Sequence, residues 1–223
     1  MDFELIERTA TIARLLDEQS PATIDFLEQS DAFELLVSAV LSAQTTDRQV
    51  NAVAPTLFSR YPDAFSLATA DIEEVMAIIR STGYYRVKAA HIIGLARMLV
   101  EHHDGMVPME MQELVKLPGV GRKCANVMLG KLGGKPAIIV DTHFGRVVKR
   151  LGLTDSTNPN VVEREIAALL PSGQHYRFSM TVNLHGRRVC HARTPDCTSC
   201  FLCSLCPSCL ATTLSDRTRS AQV

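Results

Sequence analysis

The chain has 223 residues, 46% of them apolar and 21% charged, which reads as a soluble globular protein of one or two domains with a real core. No apolar run approaches the ~20 residues that cross a bilayer, and no charged segment followed by an apolar one opens the chain, so neither a membrane span nor a secretion signal is expected. The net charge of −1 hides an asymmetry: residues 1 to 40 carry nine acids and two bases, whereas residues 116 to 150 carry eight bases and one acid. A nearly neutral protein can thus present one strongly basic face to a polyanion.

Phe3, Ile6, Ile12, Leu15 and Leu16 recur at helical spacing and predict an amphipathic helix over the first twenty residues, ending before Pro21. Asp31 is placed to cap a helix from Ala32 to Ala43, whose FELLVSAVLSA is apolar on nearly every side and so belongs inside. Polar residues then cluster at Ser42-Ala43-Gln44-Thr45-Thr46-Asp47, a loop that also supplies the next cap. Helices follow over Asp47 to Ser59 and Asp71 to Arg80, with turns at Tyr61-Pro62 and Ser66 to Ala70. Ser81-Thr82-Gly83-Tyr84-Tyr85 is a glycine turn bearing two aromatics, ordinarily core residues, ahead of a helix from Arg86 to His102. His102 and His103, being adjacent, face different directions on that helix and are not expected to form a metal site.

Met109 to Lys116 is a short helix leading into Leu117-Pro118-Gly119-Val120-Gly121-Arg122-Lys123. Pro118 cannot extend a preceding helix, and the glycines permit angles and close approaches that a Cβ forbids. A tight hairpin between two helices results. The second helix starts at Gly121 or Arg122 with its first amides unpaired, and free amides at the positive end of a helix dipole make an anion site. Asp141, the one acid among these bases, follows the apolar run Ala137 to Val140 and precedes Thr142-His143-Phe144, a place that also suits an ordinary N-cap. Helices from Asn158 to Leu170 and Arg177 to Arg188 complete an all-helical pattern, and the polar tail after Leu210 is expected to fray.

Six of the seven cysteines crowd between Cys190 and Cys209, which in a reducing compartment argues for metal ligation over disulfides. Cys190, Cys197, Cys200 and Cys206 are spaced C-x6-C-x2-C-x5-C, a set that could hold either zinc or a [4Fe-4S] cube. Cys203 and Cys209 offer alternative ligands or stand as small free thiols. Arg187, Arg188, His191 and Arg193 make the surrounding loop basic, so a metal-fixed loop could grip phosphates as a second contact.

LPGVGRKxANVxL followed by VDTH resembles the helix-hairpin-helix and catalytic region of endonuclease III, a DNA glycosylase and apurinic-site lyase of base-excision repair. LSAQTTD and the cysteine spacing match the same family, so the resemblance runs from Phe33 to Cys206. It implies an all-α helix-hairpin-helix glycosylase fold: a six-helix domain over residues 24–135, a cluster domain of residues 1–23 with 136–223, and a DNA cleft between them. It implies Lys123 as the nucleophile and Asp141 as its partner. Gln44 would fill the space left by an everted base, its amide replacing lost pairing. Tyr84 would be a wedge beside the flipped nucleotide, where members of the family often carry leucine. Gly119, Val120, Gly121, Arg122, His143 and Arg193 would contact DNA. The resemblance selects [4Fe-4S] on Cys190, Cys197, Cys200 and Cys206, with a structural role. It further implies a monomer in the bacterial cytosol, associated with the nucleoid, acting on double-stranded DNA with oxidised pyrimidines or abasic sites. Cys124 departs from the threonine usual there.

The chemistry needs an uncharged amine, because only an amine attacking C1′ can give the Schiff base that permits β-elimination. A free lysine titrates near 10.4, and half-neutrality near pH 7.4 requires about 4 kcal/mol, far above the ~0.3–1 kcal/mol that a helix N-terminus supplies. Desolvation and nearby Arg122 act in the right direction, whereas an anionic Asp141 opposes them; Asp141 is therefore expected to take the proton as attack proceeds. Two other readings compete. A non-catalytic helix-hairpin-helix module would need neither Lys123 nor Asp141. An adenine mismatch-type monofunctional glycosylase would lack the lysine and carry a further C-terminal domain.

Overall fold

The computed structural model describes residues 3–29 and 31–209; the tail after Leu210 lies outside them. Among the described residues every regular element is helical, which makes the chain all-α. None of these helices is long and apolar enough to cross a membrane. The chain divides into two compact units, Asp25–Gly134 and a discontinuous one of Met1–Ile24 with Lys135–Val223.

The first unit is built around α2 (Ala32–Leu41). Asp31 accepts hydrogen bonds from the Phe33 and Glu34 amides, which starts the helix where the sequence places it. Leu35, Leu36, Val37 and Leu41 have no exposed surface, and full burial of such a side chain stabilises by about 1.5–3 kcal/mol. Around it pack α3 (Asp47–Arg60), α6 (Tyr85–His103) and α8 (Arg122–Lys131). The turn expected over Ser66 to Ala70 is instead the end of a short helix, α4 (Ala64–Ala68), lying along α6. Its start is a capping box: Asp63 accepts from the Ser66 amide at 2.8 Å while the Ser66 hydroxyl accepts from the Asp63 amide at 3.3 Å. Serine takes the place that Glu or Gln usually holds in that box, so the start signal is easily overlooked. After α5 (Ile72–Ile78) a 3-10 turn occupies Arg80–Thr82, and the helix entering the hairpin, α7, shrinks to the single turn Met111–Leu114.

In the other unit α1 (Phe3–Glu18) packs on α10 (Pro159–Leu169) and α11 (His175–Arg188), while α9 (Thr142–Arg150) lies against α11. Ile12, Leu16, Phe144, Val147, Phe178 and Val182 fill its core. Arginines fasten the beginning of the chain to its end. The Arg8 guanidinium donates to the carbonyls of Leu151 at 2.6 Å, Gly152 at 2.9 Å and Leu205 at 3.1 Å. Arg177 bridges Asp17 at 2.5 Å and the carbonyls of Pro21 and Ala22.

Candidate active site and metal centre

Within residues 25–134 the hairpin joins α7 to α8. Leu117 and Val120 are 2% and 5% exposed and anchor it to the core, whereas Gly119, Gly121, Arg122 and Lys123 are exposed. Gly119 has φ +77°, and a Cβ there would stand 2.8 Å from Val40 Cγ1 and 3.0 Å from His91 Nδ1. Only glycine fits this turn. Val120, expected at the DNA interface, gives its N–H to the Leu117 carbonyl and buries its side chain, which holds the turn. Gly121 begins α8 without a side-chain cap, so the first amides of α8 lack an intrahelical acceptor on the exposed face of the hairpin. Lys123 is on that first turn. Because it is exposed, the chain by itself does not supply the desolvation that the sequence reading invoked. Cys124 points the other way: its thiol donates to the Ala39 carbonyl at 3.5 Å, and burial pushes its pKa up.

Gln44 and Tyr84 lie on two loops of the same unit. Both have left-handed backbones, φ 52° and 47°, and both are exposed. The core position ordinary for an aromatic at a helix start is not taken: Tyr84 is 67% exposed.

In the other unit Asp141 is the N-cap of α9, with Oδ1 accepting from the Phe144 amide at 2.8 Å. Its Oδ2 accepts from Asn183 Nδ2, and Asn183 Oδ1 accepts in turn from Arg187 Nε at 2.7 Å. The capping role and a chemical role are compatible, since a carboxylate has four lone-pair sites. Asn183 is 5% exposed, so this arrangement is fixed from inside the protein. His143, half-buried on the first turn of α9, lies 3.3 Å from Arg146, whose guanidinium also donates to the carbonyls of Gly186 and Cys190. Sequence reading missed Asn183 and Arg146, and gave Arg187 a phosphate contact without its bond to Asn183. The available signal was a polar Asn on the buried face of α11 with an arginine one turn later.

Cys190, Cys197, Cys200 and Cys206 line one cavity of about 180 Å³, with His185 beside them. Among the described residues, no three His, Cys, Asp or Glu side chains converge closely enough to hold a single ion. Four thiols around a shared space are a donor set of the kind that iron-sulfur groups use. Burial and then the neighbouring thiols push Cys197 and Cys200 upward, so four thiolates in this space need a cationic group among them. Arg150 donates to Cys190 Sγ at 3.2 Å, and Cys206 Sγ donates to the Arg150 carbonyl at 3.3 Å. His185 stands 3.6 Å from Cys200 Sγ and is pushed down to about 4 by burial. Cys203 and Cys209 are neither alternative ligands nor free thiols: they form a disulfide with each other. Their three-residue spacing had looked like more of the ligand pattern, but folding turns both sulfurs toward each other. Arg193 is exposed on the loop between Cys190 and Cys197.

An all-α chain with a glycine hairpin opening onto a lysine-bearing helix matches, over residues 37–172, the HhH-GPD superfamily of base excision DNA repair proteins. It is 46% identical to endonuclease III of Synechocystis over 91% of this chain and 93% of that one. Two solved structures, each 37% identical and covering 93% of this chain and 98% of theirs, superpose with a TM-score of 0.89: a non-covalent endonuclease III–DNA complex and a trapped endonuclease III–DNA covalent intermediate. The chain belongs to the endonuclease III family, the DNA glycosylases and apurinic/apyrimidinic lyases of base-excision repair.

Proposed function

We propose that this enzyme excises oxidised pyrimidines and cleaves the resulting abasic strand by β-elimination, with Lys123 as nucleophile and Asp141 as its carboxylate partner. The observation that carries the reading is an exposed amine on the first turn of α8, beside a hairpin that accepts only glycine at its tip. A damaged nucleotide must leave the stack to be reached, which costs a few kcal/mol and is cheapest for badly stacked lesions. Gln44 and Tyr84 offset that cost by occupying the space, and Gly119, Gly121, Arg122, His143 and Arg193 hold the backbone of double-stranded DNA. The everted nucleotide itself desolvates Lys123.

The Lys123 nitrogen forms a bond to C1′ as the C1′–N bond to the base breaks, and the base departs with that electron pair and a proton. The nitrogen gives up a proton, its lone pair then breaks the C1′–O4′ bond, and O4′ takes up a proton as the ring opens, leaving an iminium between nitrogen and C1′. Removal of a C2′ proton then expels the 3′ phosphate. Asp141 receives the amine proton during attack and stabilises the cationic sugar, its orientation set by Asn183 and the Phe144 amide.

Cys190, Cys197, Cys200 and Cys206 would hold a [4Fe-4S] cluster, which when bound cross-links the loop carrying Arg193 and takes no part in bond cleavage. The enzyme works as a monomer in the bacterial cytosol, at the nucleoid. Borohydride trapping on abasic-site DNA tests the assignment: Lys123→Ala should yield no covalent adduct. An undiminished adduct would remove Lys123 from the mechanism and favour a purely DNA-binding hairpin.

A further inference from the structure

Lys88 lies on the first turn of α6 and is only 4% exposed, an unusual setting for a lysine. Its Nζ donates to Thr45 Oγ1 at 2.7 Å and to the Thr82 carbonyl at 2.7 Å. The Thr45 hydroxyl also donates to that same carbonyl, which closes a three-membered polar knot inside the unit. A second tie runs alongside it, from Gln49 Nε2 to the Ser81 carbonyl at 3.0 Å. Thr45 follows Gln44 in the chain, and Thr82 is two residues before Tyr84. Lys88 therefore joins, across 43 and 6 residues of sequence, the two loops that end in the left-handed residues Gln44 and Tyr84.

Left-handed backbone is disfavoured for a residue with a Cβ and persists where its surroundings hold it. Both acceptors of Lys88 are neutral oxygens, and burial lowers its pKa from the ordinary lysine range. Keeping a cation in such a place is unfavourable unless it makes well-formed hydrogen bonds. An apolar side chain of the same length would fill the space with less penalty, but it could not connect the loops.

We infer that Lys88 is a positioning residue that fixes the spacing and backbone of both insertion loops, so that Gln44 and Tyr84 enter the duplex as one unit. This rests on the insertion roles proposed above for those two residues. A rigid pair pushes on both sides of the lesion at once, whereas two independent loops would each lose ordering entropy on binding.

The test uses the full-length, iron-loaded protein and a duplex containing a tetrahydrofuran abasic analogue opposite 2-aminopurine, beside an undamaged duplex. Two quantities are read: the ratio of affinities for the two duplexes, and the 2-aminopurine fluorescence rise that reports unstacking. Lys88→Met should lower the ratio roughly tenfold and flatten the fluorescence rise, with a melting temperature close to that of the parent. Lys88→Arg, which keeps the donors, should recover part of both. Gln44→Ala and Tyr84→Ala define what losing each inserted side chain does. If these two are impaired and Lys88→Met behaves as the parent, the positioning role is overturned and the insertion roles survive. If neither alanine variant changes either reading, the insertion roles fail and the inference falls with them. A lower melting temperature with an unchanged affinity ratio would mean that Lys88 is structural only, which also overturns the inference. Should Lys88→Met not fold, Thr45→Val removes the bridging hydroxyl from a half-buried site and must show the same loss; parental behaviour there overturns the inference equally.

Discussion

Replacing Gly119 and Gly121 separately by alanine pits two glycines two residues apart against each other. At Gly119 the new Cβ must adopt φ +77°, a left-handed conformation costing about 1–2 kcal/mol, and stands 2.8 Å from Val40 Cγ1. Val40 is 2% exposed and cannot swing away without moving α2, so overpacking adds about 1–3 kcal/mol. The sum, about 2–5 kcal/mol, corresponds to a fall in melting temperature of about 4–20 °C for a chain of this length. At Gly121, φ is −91° and nothing lies within 4 Å of an added Cβ. A poorer N-cap and a less flexible unfolded chain roughly cancel there, so stability should change by less than about 0.5 kcal/mol. The methyl group nevertheless stands where a phosphate would meet the first amides of α8. DNA affinity should therefore fall, and the slope of log affinity against log salt should drop by about 0.9, the loss of one phosphate contact. Thermal melts and a salt series on an abasic-analogue duplex measure both. A Gly119→Ala protein as stable as the parent would refute the turn argument, and parental affinity and slope in Gly121→Ala would refute the phosphate cradle.

Asn183→Leu removes one of the two bonds that orient Asp141, and hydrogen bonds to charged groups are worth about 1.5–3 kcal/mol. Single-turnover β-elimination should slow by roughly tenfold or more while borohydride still traps Lys123; an unchanged rate would separate Asn183 from the chemistry. Cys124→Thr keeps a donor for the Ala39 carbonyl and nearly the same volume, so activity and melting temperature should both stay close to the parent.

What could be read from the sequence was whatever depended on neighbours within a few residues. Asp31, Asp141 and Asn158 stand one place before the helices they cap, and Leu117 to Gly121 carries its own turn chemistry. α4 escaped because its capping box uses serine, and Tyr84 misled because a left-handed residue aims its ring outward. Contacts distant in sequence were out of reach. Asn183 meets Asp141 across 42 residues and Lys88 meets Thr45 across 43, and in the sequence each is one more polar residue on a helix. Cys203 and Cys209 continue the three-residue spacing of Cys197 and Cys200, so only their placement in space separates the disulfide from the proposed ligand set.

The reach of Arg8 to the carbonyls of Leu151, Gly152 and Leu205 sets an order of events during synthesis. Residues 25–134 can collapse on the ribosome as soon as they emerge, because their partners are all at hand. The opening helix must wait for α10, α11 and the Leu205 carbonyl to leave the tunnel. A nascent chain stalled before position 205 would carry a finished hairpin, and its Arg8 guanidinium would lack one of its three carbonyls.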